Sequence, residues 1–368
     1  MTDSSSHERF IRQALSCAQN AHQRTSPNPK VGCVIVRDGH LISEGVTQPV
    51  GGPHAEIVAL QNAGDRAAGS TLYVTLEPCC HYGRTPPCTD AIIAAGIRRV
   101  VIGARDRNPR VDGGGISALR RAGIEVVTDV LTAECNRAHA PFFHFIEHGM
   151  PWTILKAAIT IDGQIATENG DSKWITSEGA RRDVHRTRAR VDAVMVGGET
   201  ARLDNPQLTV RLHDGTDPIR VILDSNLRLP HDGAWSGAGA LIYCSPDASE
   251  DRKRAVQSTG STVVPVSRNG VGLDLTEILH DLGSRGVVSL LVEGGGTLHA
   301  QLLTHRLVQA AQIYIAPRLL GQGRPLLNMA SPERIADGWH LSQLSVRELG
   351  PDLCLEGLLE YPSMDSTQ

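Results

Sequence analysis

TLYVTLEPCCHYGRTPPCTDAIIAAG, residues 71–96, decides the fold. Its apolar, β-branched start, TLYVTLE, predicts a strand, and CTDAIIAAG predicts a helix. Between them lies a proline-bracketed loop that places Cys79 at the strand's end and Cys88 at the helix's entrance. The same alternation continues in both directions. Upstream, Phe10, Ile11, Ala14, Leu15 and Ala18 recur at helical spacing, SPNPK breaks that helix, VGCVIV reads as a strand ending in a hairpin at RDGH, and HAEIVALQNAG reads as a helix. Downstream come the strand RRVVIGA, the helix GISALRRAG and the strand IEVVTDV. Strands alternating with helices imply an α/β layer structure.

Around HFIEHGMPW, residues 144–152, the alternation pauses at a Gly and a Pro, then restarts with WTILKAAIT. DAVMVGG, PIRVILD, ALIYCS, STVVPVS, VVSLLVE and QAAQIYIAP read as further strands, and LDLTEILHDLGSRG as a helix. The expectation is two α/β domains, residues 1–147 and 151–363.

The 368 residues, 40% hydrophobic and 21% charged, suffice for two cored domains. A net charge of −4 and 4% aromatic residues give neither the electrostatics nor the stacking platforms of a nucleic-acid binder, so a small-molecule partner is expected. MTDSSSHERF lacks the layout of a secretory signal, and no apolar run reaches membrane-spanning length, so no membrane partner and a cytoplasmic location are expected. Cys17, Cys33, Cys135, Cys244 and Cys354 stand alone, which argues against a disulfide framework.

Twenty-odd residues before the cysteine loop, GGPHAEIVAL puts His54 and Glu56 at the mouth of a helix. Thiols near helix N-termini favour the metal-binding thiolate. His54, Cys79 and Cys88 make a three-ligand zinc site with a fourth position free for water, the open arrangement of catalytic zinc. Glu56 is the carboxylate placed to move that water's proton. H-x-E followed by P-C-x-x-C marks zinc nucleobase deaminases; here nine positions, not three, separate the cysteines. The alternatives are a closed four-ligand site that also uses Cys80 or His81, and a redox pair at Cys79 and Cys80, which would require a strained vicinal bridge. In the second domain VVSLLVEGGGTLHAQLL, residues 287–303, runs an apolar strand through Gly294, Gly295 and Gly296 into a helix, a turn that suits either a phosphate or tight packing.

SPNPKVGCVIV, GGPHAE, LEPCCHYGRTPPCTDAI and ARDRNPRVDGGGI, in this order, resemble the deaminase half of the bifunctional riboflavin-biosynthesis deaminase/reductases, long inter-cysteine loop included. ILKAAITIDGQIAT, SKWITSEGARRDVHRTRARVDAVMVGGETARLDNPQLTVR and VEGGGTL resemble the reductase half. The resemblance implies a cytidine-deaminase-like three-layer α/β/α domain followed by a dihydrofolate-reductase-like α/β domain. It implies zinc and NADPH as cofactors, a pyrimidine ribosyl phosphate as substrate, and a homodimer or higher homo-oligomer through the reductase domain. Carried over by residue, it implies substrate contacts at Asn28, His81, Arg84, Asp106 and Asn108, and in the second domain at Ser172, Arg188, Leu208, Arg211 and Glu293. NADPH contacts are implied at Ala158, Trp174, Thr200, Asp204, Ser225, Gly295, Gly296 and Thr297. Arginine suits the phosphate because its fork donates two parallel hydrogen bonds. Lys156 and Glu293 are polar candidates near the reduction. A deaminase of nucleotides or tRNA would share His54, Glu56, Cys79 and Cys88, and a zinc-binding regulator would have no use for Glu56.

Overall fold

Glycines at two crossing points let helices lie directly on the first sheet, and these contacts set where its functional side chains emerge. The computed structural model describes residues 4–19, 21, 25–83, 86–211, 215–270 and 272–362. The chain divides into two units, Met1–Met150 and Pro151–Gln368. The first runs α1 (Ser4–Gln19), β1 (Gly32–Arg37), β2 (His40–Val46), α2 (Ala55–Ala63), β3 (Thr71–Leu76), α3 (Cys88–Ala94), β4 (Arg99–Ala104), α4 (Gly114–Arg121), β5 (Glu125–Val127) and α5 (Thr132–His148). The strands form one sheet in the order β2-β1-β3-β4-β5, with β1 antiparallel to both neighbours and β3, β4 and β5 parallel.

Alternation along the strands assigns the faces. Tyr73 meets His7 and Phe10 of α1, and Thr75 meets His139 of α5. On that face a Cβ at Gly32 would sit 1.9 Å from the Ala14 carbonyl oxygen, so α1 crosses β1 at backbone contact. The other face carries α2. A Cβ at Gly45 would sit 2.2 Å from the Ala55 oxygen and 2.4 Å from the Ala59 nitrogen, and the Ser43 hydroxyl donates to the Ala59 carbonyl at 2.7 Å. Ala55 and Ala59 are fully buried there.

The sequence pause at residues 144–152 is corrected in part. Gly149, with φ 67°, does end a helix just before Pro151, but HFIEH is the last part of the 17-residue α5, which the sequence pattern did not disclose. Pro141 inside the helix and a run of aromatic and histidine residues obscure its apolar stripe.

The second unit runs β6 (Trp152–Thr160), β7 (Gln164–Thr167), α6 (Glu178–Arg188), β8 (Ala193–Gly197), α7 (Gly198–Asp204), β9 (Ile219–Leu223), β10 (Ala240–Cys244), α8 (Glu250–Gln257), β11 (Thr262–Pro265), β12 (Arg268–Asn269), β13 (Gly272–Leu273), α9 (Leu275–Ser284), β14 (Ser289–Val292), α10 (Gly296–Thr304), β15 (Ala310–Ala316), β16 (Gly323–Pro325), β17 (His340–Leu349) and β18 (Asp352–Glu360). Nine of these strands form a sheet in the order β11-β10-β9-β8-β14-β6-β15-β18-β17. It is parallel through β15, and the β17–β18 hairpin adds an antiparallel edge. Among the described residues no helix is long and apolar enough to cross a membrane.

Gly45→Ala places a methyl group inside the α2 backbone. Overpacking of this kind costs about 2–3 kcal/mol. Urea unfolding of the first unit, followed by circular dichroism, is expected to shift down accordingly, while an unchanged midpoint would show that α2 does not depend on this contact.

Candidate active sites

Three donors converge at one end of the first sheet. His54 is the residue that precedes α2, in extended conformation at φ −72° and ψ 165°, so its ring hangs free of the helix it starts. Cys88 is the first residue of α3 and Cys79 follows β3. His54 Nδ1 lies 3.3 Å from Cys88 Sγ and 3.6 Å from Cys79 Sγ, and all three donor atoms lie within 4.8 Å of one another. A tetrahedral zinc with Zn–S of about 2.3 Å and Zn–N of about 2.0 Å needs donors about 3.5 Å apart. The nitrogen, the two sulfurs and their spacing therefore fit zinc.

The two sulfurs share charge unequally. A hydrogen bond from the Cys88 side chain, opposed by burial and aided by His54, holds the Cys79 thiol down at about 4. The Cys88 backbone N–H also donates to Cys79 Sγ at 3.3 Å. The proton is correspondingly held on Cys88, whose thiol is pushed far up by Cys79 and by burial. Glu56 is buried, and burial together with the charge on Cys79 pushes its carboxyl up to about 7. Its side chain meets Cys88, so a buried proton carrier stands against the donor set.

The remaining residues of this site are spread along the loops around it. His81 Nδ1 is buried without a hydrogen-bond partner among the described residues, which suits a ligand contact. Asp106 is buried, its carboxyl pushed up to about 6 by that burial, and it accepts the Asn108 N–H at 2.8 Å. The Asn108 side chain accepts the Arg110 N–H at 3.1 Å, a local turn bond. Asn28 closes a turn by donating to the Thr25 carbonyl at 2.8 Å. Arg84 lies outside the described residues. Cys80 points away from the trio, towards the Arg110 carbonyl at 3.9 Å. Sequence reasoning missed Glu77, a buried carboxylate two residues before Cys79; its place before Pro78 was the available signal.

The second unit holds a cavity of about 770 Å³, lined towards the carboxyl ends of parallel strands by Ala158 of β6, Val196 of β8 and Glu293 after β14. Ligands of parallel α/β sheets bind at such ends. Ten further expected residues bear on it. Ser172, Trp174, Arg188, Thr200, Asp204, Leu208, Arg211, Gly295, Gly296 and Thr297 all line it, whereas Ser225 does not. Ser225 lies past β9, where its carbonyl accepts the Ser245 N–H at 2.9 Å. The Leu208 side chain belongs to the core, which leaves its backbone as the part available to a ligand. Trp174 is 58% exposed with the Arg181 guanidinium 4.5 Å above its ring, an arrangement the sequence did not disclose.

The three glycines divide their work. A Cβ at Gly296 would meet the Pro325 carbonyl at 2.6 Å and one at Gly294 would meet the Leu298 side chain at 2.7 Å, so both serve packing at the start of α10. Gly295 has only the Thr200 hydroxyl near, at 3.5 Å, and leaves backbone open to a ligand. The open carboxyl edge and this helix start fit a dinucleotide phosphate.

Arg188 lines the cavity with its guanidinium already engaged. Nε and Nη2 donate to Glu293 at 2.6 and 3.0 Å, and Nη1 donates to the Thr209 carbonyl at 3.1 Å. Lys156 Nζ reaches the same carboxylate at 3.5 Å. Burial alone would raise Glu293, but Arg188 and Lys156 hold it down at about 2. Arg211 is the more exposed arginine, bonded through Nε to His185 at 3.2 Å.

Comparison with known proteins assigns both halves. Residues 4–104 match the cytidine and deoxycytidylate deaminase zinc-binding region, and residues 151–355 match the RibD C-terminal domain. The chain is 39% identical to the riboflavin biosynthesis protein RibD of Actinobacillus pleuropneumoniae over 96% of this chain and 95% of that one. It is 39% identical to that of Escherichia coli K12 over 95% and 98% of the two chains. A RibD structure from Acinetobacter baumannii superposes with a TM-score of 0.87 at 36% identity, covering 97% of this chain and 100% of that one.

Glu293→Gln leaves the buried Arg188 and the half-buried Lys156 facing a neutral amide, a change that costs about 3 kcal/mol. All four tryptophans lie in the second unit, so tryptophan fluorescence reports its unfolding alone. At pH 7 the variant is expected to unfold at lower urea. The Glu293 contribution is fully present above its ordinary value of 4.5 and is lost as pH falls through about 2, so the gap between the proteins narrows over that window. A gap independent of pH would contradict the ionised pairing.

Proposed function

This chain belongs to the RibD family of bifunctional riboflavin-biosynthesis deaminase/reductases, and on that premise we propose that its two sites act in turn on one pyrimidine ribosyl phosphate. The first hydrolyses the 2-amino group of 2,5-diamino-6-ribosylamino-4(3H)-pyrimidinone 5′-phosphate. The second reduces the ribosyl group of the uracil product to a ribityl chain. A solved relative from Thermotoga maritima, 34% identical with a TM-score of 0.83 over 98% of this chain and 99% of that one, is described as a diaminohydroxyphosphoribosylaminopyrimidine deaminase / 5-amino-6-(5-phosphoribosylamino)uracil reductase. The observation that carries the reading is the trio of His54, Cys79 and Cys88 with buried Glu56 against it.

His54, Cys79 and Cys88 hold zinc, which when bound makes water a nucleophile near neutral pH. Glu56 takes the proton from the attacking water and returns it to the departing amino nitrogen, which leaves as ammonia. Burial keeps that proton from bulk water. His81, Asp106 and Asn108 orient the pyrimidine and its ribose phosphate, as does Arg84 by resemblance.

In the second site Ala158, Trp174, Thr200, Asp204 and the Gly295–Thr297 turn hold NADPH, which supplies a hydride when bound. Ser225 lies outside the cavity lining and is carried as an NADPH contact by resemblance alone. Ser172, Leu208 and Arg211 hold the substrate near the Lys156, Glu293 and Arg188 group. Because Glu293 occupies the Arg188 fork, Arg188 acts by fixing the carboxylate, and of these two arginines Arg211 is the one left for the phosphate. Eight cysteines with no disulfide among the described residues support a reducing, cytoplasmic location. Assembly through the second unit is supported by the outer strand β17, which exposes Leu344 and Val346.

With zinc-loaded protein and the diaminopyrimidine ribosyl phosphate, ammonia is expected without NADPH, and NADPH oxidation only after deamination. Glu56→Gln should retain zinc and lose deamination by a factor of about 10³ or more, since one group both generates the nucleophile and serves the leaving group. Full ammonia release by that variant would sink the mechanism. Arg211→Ala should raise the KM for the deaminated substrate at least about tenfold and leave that for NADPH unchanged. An unchanged substrate KM would remove Arg211 from the phosphate site.

A further inference from the structure

Glu77 lies between the end of β3 and the Pro78–Cys79 turn, so a zinc-ligand sulfur follows it by two residues. Its side chain is buried, and its hydrogen-bond partners among the described residues are three backbone N–H groups. Asp106 donates to Oε2 at 3.3 Å, Gly113 to Oε2 at 3.1 Å and Ile116 to Oε1 at 3.0 Å. Bonds from amides to a carboxylate are charge-assisted, and exclusion of water strengthens them. Two of these amides bracket the segment 106–113, and the third lies in the first turn of α4. Gly115 shows how tightly the two segments meet: a Cβ there would be 2.1 Å from the Pro78 carbonyl oxygen and 3.2 Å from the Glu77 side chain. One side chain thus fastens the segment bearing Asp106 and Asn108 to the segment bearing Cys79.

We infer that Glu77 is a positioning residue for deamination, which registers the substrate-contacting 106–113 loop against the Cys79 side of the zinc site while touching neither substrate nor metal. The inference rests on the deaminase reading above. His54 and Glu56 are fixed independently, by α2 lying on β2, and Cys79 receives the Cys88 N–H. Loss of the Glu77 bonds therefore displaces the loop and leaves the metal donors and the proton carrier in place. Glutamine has the same size, but it replaces one acceptor oxygen with an NH₂ group that confronts a backbone N–H. Aspartate keeps the charge and shortens the reach.

The test compares zinc-loaded full-length wild type, Glu77→Gln and Glu77→Asp for zinc content, deaminase kcat and KM, and reductase turnover on the deaminated substrate. Glu77→Gln is expected to keep its zinc and reductase turnover, and to raise the deaminase KM about tenfold with kcat within about threefold, the pattern of lost binding rather than lost chemistry. Glu77→Asp is expected to show a smaller rise in KM. A zinc-replete Glu77→Gln protein with wild-type KM overturns the inference, as does a fall in kcat at unchanged KM in both variants. Should Glu77→Gln not fold, Glu77→Asp decides: a raised KM supports the role and a wild-type KM overturns it. No ammonia from zinc-loaded wild type is a different result, and it removes the deaminase reading itself.

Discussion

The first site depends on the close approach of α2 to β2 over Gly45, a residue with no Cβ to hold the two apart. That contact fixes where α2 begins, and the helix start carries His54 and, two residues on, Glu56. The strand end and the α3 start bring Cys79 and Cys88 to the same place. The trio is held by backbone geometry, so its donor spacing already matches what a tetrahedral dication needs. Concentrating two sulfurs, an imidazole and a buried carboxyl has an electrostatic consequence: one thiol ionises readily, the other resists, and the carboxyl holds its proton to higher pH.

The second unit solves a different problem. Its sheet offers an open carboxyl edge, and its cavity contains a largely buried carboxylate clamped by two cations. A charge so placed is costly unless geometry and hydrogen bonds repay its desolvation, and the bidentate Arg188 contact with Lys156 alongside does so. The arrangement keeps the Glu293 and Lys156 side chains ordered at the cavity wall, where orientation of reactants is the protein's main contribution.

Local chemistry was legible where it was written in breakers and spacing. The prolines around Cys79 and Cys88, and the Gly-Gly-Pro before His54, announce helix starts and a strand end, and three donors with a carboxylate can be read from them directly. The α/β alternation was legible for the same reason. What escaped was tertiary: α5 was hidden by Pro141 and an irregular apolar stripe, and the β17–β18 hairpin by strands that are half exposed. The pairing of Arg188 with Glu293 is not legible in the sequence because the two lie 105 residues apart. Glu77 escaped because three backbone amides, not a motif, define its place.

The claim on which the deaminase account turns is that the zinc site is open, with two sulfurs and one imidazole from the protein. Cys80 faces the Arg110 carbonyl instead of the trio, which argues against a closed site. Zinc-edge X-ray absorption of the loaded protein measures the ligand set directly. The account predicts two sulfurs at about 2.3 Å with one nitrogen and one further light atom from water at about 2.0 Å. A third sulfur, or a second imidazole in place of the oxygen, would mean a closed structural site and would contradict it.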